Sequence, residues 1–270
     1  MAHSITLLDG ATGTALWAMA AERGIPRAPV WQYNLTHPEL VAKLAGQYAA
    51  AGSELLLTNT LCANPPAAAR CPGFRAEEVV AAAVRLARKS AGSARIALSV
   101  GPLEQVPAHR ADRLAAASAY DVQIGAGVDA GVDAIFLETF WEPALLSLAA
   151  ERAAQFGLPL FCSMTFGQSG AAFGGVTPED MVKLLEPFHP AAVGLNCSCG
   201  PVESLPVLRE FSRVTELPLI YKPNAAPGHT PEEFAAAMRP ALELAQYVGG
   251  CCGTVPADIA ALGRTMLALK

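Results

Sequence analysis

A chain of 270 residues that is 52% hydrophobic and only 16% charged carries enough apolar surface for one large core and is not intrinsically disordered. Nineteen basic against twenty-four acidic residues leave a net charge of −5 with no Lys/Arg run, so neither nucleic acid nor an anionic membrane is an expected partner. No apolar stretch approaches the roughly 18 residues of a membrane span. Met1–Leu8 lacks the basic start and long apolar run of a signal peptide. A cytoplasmic location is expected, with the seven cysteines reduced.

Short apolar runs alternate with longer alanine-rich segments along the whole chain. Strands are expected at Ile5–Leu8, Glu54–Thr58, Ile96–Val100, Ala134–Leu137, Pro159–Met164, Ala191–Leu195, Pro218–Tyr221 and Gln246–Val248. Their nearly continuous apolar character suits strands covered on both faces. Between them, Val80, Ala83, Val84 and Ala87 repeat at helical spacing, with Arg85 and Arg88 off the stripe. Thr177-Pro178-Glu179-Asp180 supplies an N-cap, a first-turn proline and acids at the positive end of the dipole, ahead of Met181, Leu184, Leu185 and Phe188. Thr230-Pro231-Glu232-Glu233 reads as a capping box. Pro256, Ile259, Leu262 and Met266 mark a closing helix.

Eight strands alternating with helices predict an α/β fold, a single (β/α)8 TIM barrel over residues 1–270. An open doubly wound sheet is disfavoured, because no Gly-x-Gly-x-x-Gly fingerprint follows the first strand. In a barrel the site lies at the carboxyl ends of the strands. Polar residues, glycines and cysteines gather there, at Asp9–Thr14, Thr58–Thr60, Gly101-Pro102, Glu138-Thr139, Thr165–Gly167, Asn196–Ser198, Lys222–Asn224 and Gly249–Thr254.

The cysteines are the sharpest feature. Cys197 ends the sixth strand, and Cys251 with Cys252 end the eighth. Adjacent cysteines on a regular strand would face opposite ways, and Gly249, Gly250 and Gly253 are expected to relax the backbone so that both sulfurs turn inward. Three thiolates and one open position match a catalytic zinc site, whereas structural zinc sites close with four protein ligands. Packed or surface thiols are the plainer alternative, and the expected one for Cys62, Cys71 and Cys162. Cys199 is a further thiol nearby, an alternative ligand or an oxidation partner.

Asp9–Thr14, Thr58-Asn59-Thr60, Gly194-Leu195-Asn196-Cys197-Ser198 and Gly249–Thr254, in this order, resemble the homocysteine S-methyltransferase family. Gly101-Pro102, Leu137-Glu138-Thr139 and Ser163–Phe166 fall between them, so the resemblance runs through essentially the whole chain. It implies a (β/α)8 barrel with Zn2+ on Cys197, Cys251 and Cys252, and methyl transfer to the sulfur of homocysteine to give methionine. It also implies that Asp9 and Glu138 bind the amino group of homocysteine; a helix N-cap and a structural ion pair are their plain alternatives.

The backbone of Gly10, Ala11 and Thr12, turning into a helix start, can offer N–H groups to the carboxylate. Asn196, beside a ligand, is either a hydrogen bonder that orients it or a turn residue. Thr58, Asn59 and Thr60 can line the donor side. The first expectation for the donor is a methylated corrinoid (methylcobalamin) on a separate corrinoid-binding protein. S-methylmethionine, S-adenosylmethionine and betaine are alternatives kept open by Trp31, where some relatives place an aromatic for a cationic donor and where core packing serves equally. A non-catalytic zinc- or thiol-binding module of a larger complex is the competing class. His37 is expected to start a helix, and His109, His189 and His229 to lie at the surface.

Overall fold

The computed structural model describes residues 4–104, 109–197 and 199–269. Ser198 of the Asn196–Ser198 segment and the first three residues of Met1–Leu8 lie outside them. Each expected apolar run forms a strand: β1 Thr6–Leu7, β2 Leu55–Leu57, β3 Arg95–Val100, β4 Ala134–Phe140, β5 Leu160–Met164, β6 Ala192–Asn196, β7 Leu219–Lys222 and β8 Tyr247–Val248. All pairs are parallel, in the order β1-β8-β7-β6-β5-β4-β3-β2. A parallel bridge between Leu8 and Leu55 joins β1 to β2 and closes the ring. The fold is a single (β/α)8 barrel. β4 runs beyond its expected end at Leu137, through a register shift against β5 between Leu137 and Phe140, so Glu138 and Thr139 lie within the strand.

The helices follow their start signals. Thr177 Oγ1 accepts from the Asp180 N–H at 3.2 Å while the Asp180 carboxylate accepts from the Thr177 N–H at 3.0 Å, a full capping box ahead of Pro178–Leu185. Thr230 and Glu233 repeat the exchange ahead of Pro231–Met238. Ala76–Ser90 buries the Val80, Ala83, Val84 and Ala87 stripe. Phe188 falls past the helix, in the 3-10 turn Glu186–Phe188, where Pro187 stands. His37 does precede a helix, Pro38–Ala50. His229 departs from its expected surface position. Its ring is partly buried, with Nε2 2.9 Å from Asp258 Oδ1 and Nδ1 2.7 Å from the Ala226 carbonyl. Asp258 itself is fully buried. Among the described residues, no helix is long and apolar enough to cross a membrane.

Strand side chains alternate between two cores. One face packs outward against the helices. The other forms a separate cluster inside the ring, of Leu8, Leu55, Leu57, Ala97, Ala134, Phe136, Phe161, Ala192 and Ile220. Phe136 and Phe161 stack there with centroids 5.6 Å apart. Two or four residues further along the same inward rows stand Ser99, Glu138, Ser163, Asn196 and Lys222. The lumen thus changes from apolar to polar toward the carboxyl ends of the strands, and this change positions the site.

Phe136 is fully buried and supports that polar layer. Phe136→Ala should lower the unfolding free energy by about 3–5 kcal/mol, and Phe136→Leu by clearly less. Urea denaturation midpoints check this; a loss below about 1 kcal/mol for the alanine variant would mean that the lumen is not close-packed.

Candidate metal centre and substrate pocket

Three sulfurs converge at the ends of β6 and β8. Cys197 follows β6 with a left-handed backbone, φ 63°, and its N–H donates to the Lys222 carbonyl at 3.0 Å. Cys251 and Cys252 follow β8. The Cys251 N–H donates to the Pro223 carbonyl at 2.8 Å, and the Ala225 N–H donates to the Cys252 carbonyl at 3.0 Å, so the loop after β7 fixes both. Of the three neighbouring glycines, only Gly253 has a positive φ, +83°. Gly249 is required instead for space, because a Cβ there would stand 2.5 Å from the Asp9 carbonyl oxygen.

The ligand atoms of Cys197, Cys251 and Cys252 all lie within 4.8 Å of one another. Cys199 is not in that group; its N–H donates to the Cys197 carbonyl at 2.9 Å. Cys197 Sγ and Cys252 Sγ are 3.8 Å apart. A tetrahedral thiolate centre with metal–sulfur bonds of about 2.3 Å has sulfur–sulfur edges of about 3.8 Å, so the Cys197–Cys252 pair matches one edge of such a centre, with Cys251 close enough to join it. Electrostatics agree. Hydrogen bonding with Cys197 and Cys252 and burial push the Cys251 thiol well above its usual range, and hydrogen bonding with Cys197 heads the causes that raise Cys252. Three ionised sulfurs this close repel one another, and a cation among them removes that penalty. The cluster is suited to hold a metal ion.

Asn196 ties the centre to the barrel. Fully buried at the last position of β6, it accepts through Oδ1 from the Thr139 N–H at 2.8 Å and the Ser163 hydroxyl at 2.7 Å. Its Nδ2 donates to Thr139 Oγ1 at 2.8 Å and reaches Cys251 Sγ at 3.7 Å. Thr139, like Cys197, has a left-handed φ of 63°, a conformation of low population for a β-branched residue. Thr254 performs a similar service for the first loop: its hydroxyl accepts from the Ala11 N–H at 3.0 Å and donates to the Cys251 carbonyl at 2.8 Å.

Below the sulfurs lies a buried charged layer. Lys222, at the end of β7, has its Nζ 2.8 Å from Asp9 Oδ1, both side chains being at most 3% exposed. Asp9 Oδ2 accepts from the Leu57 N–H at 2.7 Å. Both oxygens of Asp9 therefore have protein partners. Glu138 faces the pocket and accepts from the Ser99 hydroxyl at 2.5 Å. Burial pushes the Glu138 carboxyl above its usual value, while Lys222 and Ser99 pull the other way.

These groups open into one cavity of about 750 Å3. Its inner wall holds Glu138, Lys222, Cys197, Cys251 and Cys252, and its outer wall comes from the loops after β1 and β2. Gly10, Ala11 and Thr12 line it too. The Ala11 N–H is committed to Thr254, whereas the N–H groups of Thr12, Gly13 and Thr14, heading the helix Gly13–Ala21, have no protein acceptor among the described residues. Trp31 lines the outer wall, 4% exposed and edge-on to Phe74 at 5.4 Å. Trp17 carries the Arg27 guanidinium 4.0 Å above its ring. Cys62 and Cys71 also border the cavity, and Cys162 is buried in the outer core.

Ser99, Ser163, Thr139 and Thr254 have no individual role assigned from the sequence, and Lys222 stands there only as a member of the strand-end site segment Lys222–Asn224. One signal was present for several of them: inward parity on strands whose earlier inward residues are apolar, with Lys222 standing two residues beyond Ile220.

A family model described as homocysteine S-methyltransferase matches residues 6–266. The homocysteine S-methyltransferase of Escherichia coli (strain K12) is 29% identical, over 96% of this chain and 94% of its own length. The crystal structure of the homocysteine methyltransferase MmuM from Escherichia coli in its metallated form matches with a TM-score of 0.82 at 27% identity, covering 97% of this chain and 96% of that one. Its apo form gives 0.78 at the same identity and coverage.

The raised pKa of Glu138 has a consequence for stability. A carboxyl held above its unfolded value of 4.5 destabilises the fold when ionised. That cost is absent below the unfolded value, grows as pH rises through the folded one, and is complete above it. Glu138→Gln should therefore raise the thermal midpoint at pH 7, with the advantage fading toward about pH 4. A midpoint at or below wild type at pH 7 would show that Glu138 is stabilised by its neighbours rather than strained.

Proposed function

The chain belongs to the homocysteine S-methyltransferase family, and we propose that it transfers a methyl group from a small donor to the thiol of homocysteine, at a zinc ion held by Cys197, Cys251 and Cys252. The observation that carries this reading is the convergence of three cysteine sulfurs within 4.8 Å of one another, opening onto a pocket with a carboxylate on its inner wall. An all-thiolate donor set favours zinc over hard oxygen-seeking cations. When bound, zinc would let the acceptor thiol lose its proton near neutral pH, where a free thiol of pKa about 8.5 is mostly protonated.

The chain's own residues do the positioning. Glu138, oriented by Ser99, receives the ammonium of homocysteine. The N–H groups of Thr12, Gly13 and Thr14 face its carboxylate with the positive end of a helix dipole. Asn196 fixes Cys251 against the strand ends. The acceptor's S–H proton leaves to solvent, an S–CH3 bond forms, and the bond between methyl and donor breaks with its electron pair staying on the donor. Alignment of sulfur, methyl and leaving group is the main demand on the pocket.

Cavity size favours a small donor. A volume of about 750 Å3 suits two small molecules. S-methylmethionine, S-adenosylmethionine and betaine meet that description. A methylated corrinoid on a separate protein is the competing donor, and a non-catalytic thiol-binding module the competing class.

Purified protein should contain about one zinc per chain. Cys251→Ala/Cys252→Ala should lose the metal and methionine formation together while keeping the barrel's circular dichroism; full metal retention by this variant would sink the assignment. In a donor panel, methionine should form from a small sulfonium or quaternary ammonium donor. Turnover with methylcobalamin alone would replace that donor class, and no turnover with any donor would favour the binding module.

A further inference from the structure

Lys222 has no part in that chemistry, and its setting is unusual. A lysine at the end of a lumen strand, 2% exposed, is costly to bury unless its charge is used. Its Nζ is paired at 2.8 Å with the equally buried Asp9 carboxylate. An ammonium carries three N–H donors. Among the described residues, Asp9 Oδ1 is the hydrogen-bond partner of one. The Phe136 ring lies 5.6 Å from Nζ and closes the lumen side with a surface that accepts no ordinary hydrogen bond. What remains open to Nζ is the pocket, which Lys222 lines together with Gly10, Thr12 and Glu138.

We propose that Lys222 binds the carboxylate of the acceptor amino acid, with Asp9 as the positioning residue that holds the ammonium in place. This rests on the reading of homocysteine as acceptor. The groups are complementary: the ligand's ammonium meets Glu138, while its adjacent carboxylate meets the N–H donors of Lys222 that Asp9 leaves over. An α-amino acid presents those two groups on neighbouring atoms. Asp9 directly precedes Gly10, so Lys222 is tethered at the same corner as the helix-start N–H groups. The ligand carboxylate has two oxygens, enough for both. The pair also gives Asp9 a role of its own: with Oδ2 held by the Leu57 N–H, its Oδ1 aims Lys222.

The test compares homocysteine with its decarboxylated counterpart, 3-aminopropane-1-thiol, by titration calorimetry on the metal-loaded protein. Wild type should bind homocysteine about ten- to a hundredfold more tightly, the size of a charge-assisted hydrogen bond. Lys222→Met should lower that ratio by about five- to tenfold with metal content unchanged, the helix-start N–H groups keeping the remainder. This variant leaves Asp9 buried without its cation and is at risk of unfolding, so Asp9→Asn/Lys222→Met, which removes the charges as a pair, provides the same measurement. A lysine that served only the fold would alter stability without moving the ratio. A wild-type ratio surviving in the double variant overturns the proposal, as does a wild-type protein that binds both thiols equally. Failure of the homocysteine reading is a different result: neither thiol binds the wild type.

Discussion

Side chains of a strand point alternately to its two faces, and in a closed parallel ring one of those faces has nowhere to go but the lumen. That geometric rule governs the chemistry of this chain. The inward row is packed shut by Phe136, Phe161, Ile220 and their neighbours, and only at its last positions does it admit Ser99, Glu138, Ser163, Asn196 and Lys222. Because the ring is closed, through the Leu8–Leu55 bridge at β1 and β2, side chains from distant strands meet across a short span. Asn196 can therefore hold Thr139, Ser163 and Cys251 at once.

The electrostatics of the site follow from how little water reaches this layer. A buried ion pair such as Lys222–Asp9 contributes little net stability once the cost of drying both partners is counted. The sulfur triad is likewise unfavourable as three anions, and Glu138 is pushed toward its neutral form. On the proposed reading both are relieved by partners from outside the chain: a cation for the sulfurs, the acceptor's ammonium for Glu138. The barrel meets the expense elsewhere, in a fully packed lumen and a continuous outer core.

Most of the architecture was legible in the sequence because it is local. Each strand is a short apolar run covered on both faces, and Thr177 and Thr230 announce their helices within four residues. The Gly-Gly-Cys-Cys-Gly segment betrayed itself because glycines in a strand need a reason. What escaped is everything built by closure. Lys222 and Asp9 stand 213 residues apart, Thr254 and Ala11 stand 243 apart, and His229 finds Asp258 across 29. No periodicity encodes such meetings. The extension of β4 through a register shift, which carries Glu138 into the strand, was equally invisible, since it depends on pairing with β5 rather than on the run Ala134–Leu137 itself.

The cavity has a deep wall, made by strand ends, and an outer wall, made by the loops after β1 and β2. On the proposed reading this imposes an order of events. The acceptor's seats at Glu138 and the sulfurs lie inside, so it enters an empty barrel; the donor arrives second and stands in the doorway. After transfer the spent donor departs first, and the methylated product, no longer a thiol and so more loosely tethered, follows it out. A donor that entered early would block the passage behind it, so abundance of one substrate would retard the other.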